Sequence, residues 1–137
     1  MINIVRGLLV ISLIAVAGCR AGNIYNANGV AFAKPATASA SLSLADYKKA
    51  IIRAGSFRGW TFEEASPGHL IGKVNVRNKH FATVDVTFDT TAFSINYKSS
   101  QNLNYNADRK EIHPNYNKWV QNLQADIQKE VTRLKAS

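Results

Sequence analysis

The sequence predicts an α+β domain, an antiparallel four-stranded meander flanked in sequence by two helices in the order α-β-β-β-β-α, with both helices packed on one face of the sheet. Three observations carry this expectation. Apolar residues recur at helical spacing around 44–54 and 114–134, they alternate with polar residues from 60 to 98, and short polar breaks cut the alternating region into four segments. A chain of 137 residues suffices for one domain with a modest core and is too short for two.

The first helix opens at Ser43, which forms a capping box with Asp46 in place of the usual Glu. Tyr47, Ala50, Ile51 and Ala54 make its apolar stripe, and Gly55 ends it. Lys48, Lys49 and Arg53 fall on or near its solvent side, where late basic residues also suit the helix dipole.

Beyond Gly55 the period drops to two. Trp60 and Phe62 alternate with Thr61 and Glu63, and after Ser66-Pro67-Gly68 the residues Leu70, Gly72, Val74 and Val76 alternate with Ile71, Lys73, Asn75 and Arg77. After the break at Arg77-Asn78-Lys79, His80, Ala82, Val84, Val86 and Phe88 share one face, with Phe81 out of pattern. After Asp89-Thr90-Thr91, Phe93, Ile95 and Tyr97 stand opposite Ser94, Asn96 and Lys98. One apolar face needs one cover. The carboxy-terminal helix supplies it, opened by Pro114 in its first turn, with a stripe of Tyr116, Trp119, Val120, Leu123, Ile127, Val131 and Leu134. The link from Ser99 to Ile112 is too rich in Asn for regular structure, although Leu103 and Tyr105 can pack.

Residues 1–18 read as an export signal, with a short leader closed by Arg6, an apolar run from Gly7 to Ala17 and small residues before Cys19. That run of eleven is too short to span a bilayer, which needs about 20 apolar residues; the alternatives are a buried amino-terminal helix or an uncleaved anchor. Val16-Ala17-Gly18-Cys19 resembles the lipobox of bacterial lipoproteins. The resemblance implies cleavage before Cys19, diacylation of its thiol and acylation of the new amino group, so that Cys19 is an anchor and not a nucleophile. Two or more acyl chains hold stably, since each buried methylene contributes about 0.8 kcal/mol and a single chain is marginal. Arg20 stands where lipoproteins retained at the inner membrane carry Asp, which implies the outer membrane, facing the periplasm.

The expected organisation is thus a signal peptide at 1–18, a lipidated cysteine and flexible tether at 19–43, and the α+β domain at 44–137. From Arg20 to Ser43 the chain is rich in Ala, Ser, Asn and Gly and shows no sustained period. As a coil it spans on the order of 25 to 30 Å. A short ordered piece around Ile24 to Phe32 stays open.

Lys and Arg number 17 against 9 Asp and Glu, a formal charge of +8; losing residues 1–18 removes only Arg6 and leaves the mature chain at +7. A single cysteine excludes a disulfide scaffold and a Cys-based zinc module. For an exported basic chain without nucleic-acid motifs, the candidate partners are anionic lipid, lipopolysaccharide or an acidic protein surface, and not nucleic acid; the charge can also serve solubility alone.

No cofactor or metal is expected. The chain has no His-Glu-x-x-His, no Gly-x-Ser-x-Gly and no phosphate-cradling glycine loop, and His69, His80 and His113 fall in a turn, a strand and a helix start. Glu63 and Glu64, adjacent on a strand, point to opposite faces and read as partners for Arg53 or Arg58. Ser56 has no neighbouring base.

Three segments stand out: Arg58-Gly59-Trp60, Asn102-Leu103-Asn104-Tyr105, and Ile112-His113-Pro114-Asn115-Tyr116-Asn117-Lys118-Trp119-Val120. Together they resemble a family of small uncharacterised bacterial lipoproteins over about residues 44–134, whose members pair Gly-Trp after the first helix with Asn-Leu-x-Tyr and Ile-His-x-x-Tyr-Asn-x-Trp segments. That resemblance implies a fold and export, and no reaction. Physically, Tyr, Trp and Asn can line a recognition groove, or they can fill the core and hold turns. Free amides at the start of the last helix suit an anion near His113 and Asn115, with Arg109 and Lys110 adding charge. The candidate ligand or partner surface is therefore Tyr105, Arg109, Lys110, His113, Asn115 and Tyr116. The expected role is a non-enzymatic, membrane-anchored binding or assembly module for an envelope protein or an anionic envelope component. The competing expectations are a cell-envelope hydrolase with His113 as base, and a purely structural accessory.

Overall fold

Alternation builds the sheet and helical spacing builds its cover. The computed structural model describes residues 21–38 and 40–137; the signal segment 1–18 and Cys19 lie outside the described residues. In chain order the elements are β1 (Gly22–Asn23), β2 (Ala27–Ala31), α1 (Leu44–Ser56), β3 (Trp60–Ser66), β4 (His69–Val76), β5 (His80–Phe88), β6 (Ala92–Gln101), β7 (Glu111–Ile112) and α2 (Pro114–Lys135). Strands β3 to β6 form the expected antiparallel meander.

Among the described residues the sheet nevertheless has five strands and not four. Its order is β2-β6-β5-β4-β3, with β2 added antiparallel along the outer edge of β6. A second, two-stranded sheet pairs β1 with β7, Gly22 opposite Ile112 and Asn23 opposite Glu111. Residues 22–31, expected to belong to the tether, therefore carry two strands of the fold. The sequence Ala-Asn-Gly-Val-Ala hides β2 because the strand is bulged between Ala27 and Val30, where Gly29 takes φ +56°, so no period-two pattern survives. Side chains from both strands' sides replace the lost ladder: the Gly29 amide donates to Ser94 Oγ of β6 at 2.8 Å, and the Tyr97 amide of β6 donates to Oδ1 of Asn26, just before β2, at 2.9 Å.

Helix α1 begins as its sequence dictates. The Asp46 amide donates to Ser43 Oγ at 3.2 Å, and the Ser43 amide donates to Asp46 Oδ2 at 2.9 Å, closing the capping box. Its end differs slightly from expectation. Gly55 lies inside the helix and is buried; a Cβ there would stand 2.4 Å from the Phe62 ring and 3.0 Å from Trp60 Cβ. This glycine lets α1 approach β3 closely instead of stopping the helix.

The inward face of the sheet, including Trp60, Leu70, Val74, Val84, Val86, Phe93 and Ile95, meets Tyr47, Ala50, Ile51 and Ala54 of α1 and Val120, Leu123, Ile127 and Val131 of α2 in one buried core. The two helices run antiparallel. Lys135 in the last turn of α2 stands 5.5 Å above the ring of Tyr47 in the first turn of α1, while Arg58, just past α1, pairs with Asp126 further back along α2. Among the described residues no helix is long and apolar enough to cross a membrane.

Candidate functional site

The Asn-rich link between β6 and α2 is ordered by its own side chains and by its neighbours. Asn102 and Asn104 take left-handed backbone, φ +58° and +52°, which asparagine tolerates better than most residues. Leu103 is buried, and its carbonyl accepts from the His113 amide at 2.8 Å. Asn106 and Glu111 exchange backbone hydrogen bonds at 2.9 and 3.2 Å, and the Asn106 side chain accepts from the Arg109 amide at 3.0 Å. The Ile24 amide donates to the Lys110 carbonyl at 2.8 Å, so the amino-terminal segment is stitched to this loop.

The β4–β5 turn joins the same end. His80 Nδ1 lies 2.8 Å from the Asn102 carbonyl, and Asn102 Nδ2 donates to the Lys79 carbonyl at 2.6 Å. The start of α2, the link 102–112, the turn at 77–79 and the amino-terminal strand thus form one end of the domain.

The six candidate residues divide on inspection. Tyr105, Arg109, Lys110 and Asn115 are exposed at this end and His113 is half-buried there. Tyr116 is not a surface residue: it is fully buried, and only its place in α2 brings it close to the others. Its ring meets the edge of Tyr97 at 5.6 Å, and Tyr97 stacks on Tyr105 at 4.2 Å, so a column of three tyrosines runs from the core to the surface. Tyr116 Oη has no hydrogen-bond partner among the described residues, and burial pushes its phenol well above the ordinary tyrosine range. Burial raises Tyr97 in the same direction, against a hydrogen bond between its hydroxyl and Ser100 Oγ at 2.9 Å.

His113 serves as the N-cap of α2. Its Nδ1 accepts from the Asn115 amide at 3.1 Å, which uses one of the amides expected to greet an anion. His69 contacts Asp85 Oδ1 at 2.7 Å on the outward face of the sheet, a carboxylate that also stands 3.7 Å from Lys98 Nζ. Among the described residues no cluster of three His, Cys, Asp or Glu side chains is arranged to hold a metal.

The ion pairs differ from those expected of Glu63 and Glu64. Glu64 pairs with Lys48 at 2.7 Å, Glu63 stands 4.0 Å from Lys73, Arg53 reaches Glu130 at 3.0 Å and Arg58 pairs with Asp126. Helix–helix packing decides the arginine pairs, since it sets α1 and its following turn beside the acidic residues of α2, while Glu63 and Glu64 on β3 meet lysines of the adjacent β4 and of α1.

Two of the segments that stand out in the sequence, Arg58-Gly59-Trp60 and the one ending in Trp119-Val120, meet at a second feature. Phe57, 71% exposed, stands at the mouth of a groove of about 370 Å³ whose walls include Trp60, Val76, Trp119 and Asn122. Phe57 is the C-cap of α1, where the chain leaves the helix.

Comparison with protein-family models, with curated proteins and with solved structures finds no match for the chain.

Proposed function

We propose that the chain is a lipid-anchored envelope protein, held at the outer membrane through Cys19 and facing the periplasm, whose loop-built end binds an envelope component without chemical turnover. The single observation that carries this is the run Val16-Ala17-Gly18-Cys19 after a basic, then apolar, leader. The site supports binding over catalysis. His113 uses its Nδ1 to cap α2, whereas Arg109, Lys110 and Tyr105 are displayed on a loop pinned by hydrogen bonds to its backbone. Such a loop loses little freedom when it meets a partner.

Two measurements on cells test the reading. Wild type grown with an alkyne fatty acid should incorporate it and fractionate with the outer membrane, and Cys19→Ser should do neither. Equal fractionation of both forms, with no lipid on either, would overturn it.

A further inference from the structure

The domain begins only three residues after the anchoring cysteine. From Cys19 to Gly22, the first residue of β1, the chain can extend at most about 11 Å. Gly22 is itself fixed, paired with Ile112 and followed by the bond from Ile24 to Lys110. The loop-built end therefore cannot stand off by the 25 to 30 Å that a free coil of residues 20–43 would allow.

That end is also basic. Arg77 and Lys79 come from the β4–β5 turn, Arg109 and Lys110 from the link before α2, and all four are exposed without an acidic partner in salt-bridge range among the described residues. Asp108 and Glu111 are the acidic side chains on the same loop. Of the other basic side chains among the described residues, Lys48, Arg53, Arg58, Lys73, Lys98 and Arg133 are paired with carboxylates, whereas Lys34, Lys49, Lys118, Lys129 and Lys135 stand singly on other parts of the surface, with Lys34 and Lys135 near Thr90. Tyr105 adds a 41% exposed aromatic ring with a polar tip, the side-chain type enriched where a protein meets lipid headgroups.

We infer that this end of the domain, displaying Arg77, Lys79, Arg109, Lys110 and Tyr105, is docked on the anionic headgroup layer of the membrane that anchors it. The inference rests on the reading of Cys19 as the anchor and names the partner of the same surface. Charge acts over about one Debye length, roughly 8 Å at physiological salt, and the short leash keeps these side chains near that range. The opposite end of the sheet, at Asp89-Thr90-Thr91, is held off by the length of β5, nine residues or about 26 Å.

The test uses the full lipidated chain, in which acylation consumes Cys19 and leaves any introduced cysteine as the only thiol. Ala107→Cys and Thr90→Cys, both at exposed positions, are labelled with a fluorophore. The proteins are placed in vesicles of phosphatidylethanolamine and phosphatidylglycerol carrying a headgroup quencher. The label at 107 should be quenched several-fold more than the label at 90. Charge reversal by Arg109→Glu with Lys110→Glu, or vesicles of phosphatidylcholine alone, should remove most of that difference. Equal quenching at both positions in an acylated, vesicle-bound protein would overturn the docking while leaving the anchor intact, as would a difference that neither charge reversal nor neutral lipid alters. Cross-linking of position 107 in cells to a protein, and not to lipid, would likewise overturn it. Absence of acyl mass on the purified chain would overturn the anchor reading itself, a distinct result seen before any quenching is measured.

Discussion

Phe32 stacks on Tyr47 with ring centroids 4.3 Å apart and planes 26° from parallel. The contact fastens the strand that precedes the helical cover to the first turn of that cover. Phe93 of β6 completes the cluster at 5.1 Å from Phe32, so Ala27 and Phe32, at the two ends of this segment, belong to the same buried core as the meander.

Phe32→Ala should therefore behave as a core deletion. Phe32 is 3% exposed, and truncating a buried phenylalanine costs about 3–5 kcal/mol. Urea denaturation should show a lowered midpoint with little change in slope. A midpoint within experimental scatter of wild type would mean that the amino-terminal strand does not contribute to the stability of the domain.

Gly55→Ala should destabilise although alanine is the better helix former. The added methyl would meet the Phe62 ring at 2.4 Å, and that ring is also confined by Gly72, where a Cβ would stand 2.9 Å from it. The expected loss is about 1–3 kcal/mol. Combining the change with Phe62→Leu should recover part of it, because the two residues occupy the same space.

Tyr116→Phe should stabilise the protein. The change removes a buried hydroxyl with no hydrogen-bond partner among the described residues and keeps the ring against Tyr97, for a gain of about 1 kcal/mol. The alkaline limb should change as well. Burial raises the folded-state pKa of Tyr116 above its ordinary value of 10.0, so the folded form holds the proton more tightly than the unfolded chain does. Its contribution is fully present below pH 10 and is lost as the pH rises from there toward the raised folded value. Urea midpoints at pH 9 and pH 11 should fall less in Tyr116→Phe than in wild type.

Glu130 joins the two helices. Its carboxylate, 9% exposed, accepts from Arg53 at 3.0 Å and from Arg133 at 2.6 Å. Glu130→Gln should cost about 1–2 kcal/mol, reduced from a deep burial penalty because both arginines are more than half exposed and water can take them over. Differential scanning calorimetry at low and high salt should show the gap between variant and wild type narrowing as salt rises.

Much of the fold was legible because local chemistry and global packing agree. The capping box at Ser43 and Asp46, the period-two runs from Trp60 to Tyr97 and the α2 stripe each point to the element that forms. The composition likewise determined a basic chain with one cysteine, and the order of residues 1–19 determined the expectation of an anchored, exported protein. Tertiary structure alone decided the rest. Strand β2 carries no period of its own, because at its bulge the Gly29 amide donates to the Ser94 side chain of β6 and its core contact comes from Phe32, just past its end, against Tyr47. Pairing of Arg53 with Glu130 depends on helix approach across 77 residues of sequence, and the meeting of Arg77 and Lys79 with Arg109 and Lys110 depends on Asn102 tying two loops together. Periodicity reports which face a side chain occupies. It is blind to what lies opposite, because that contact is made between residues whose separation along the chain carries no information about their distance in space.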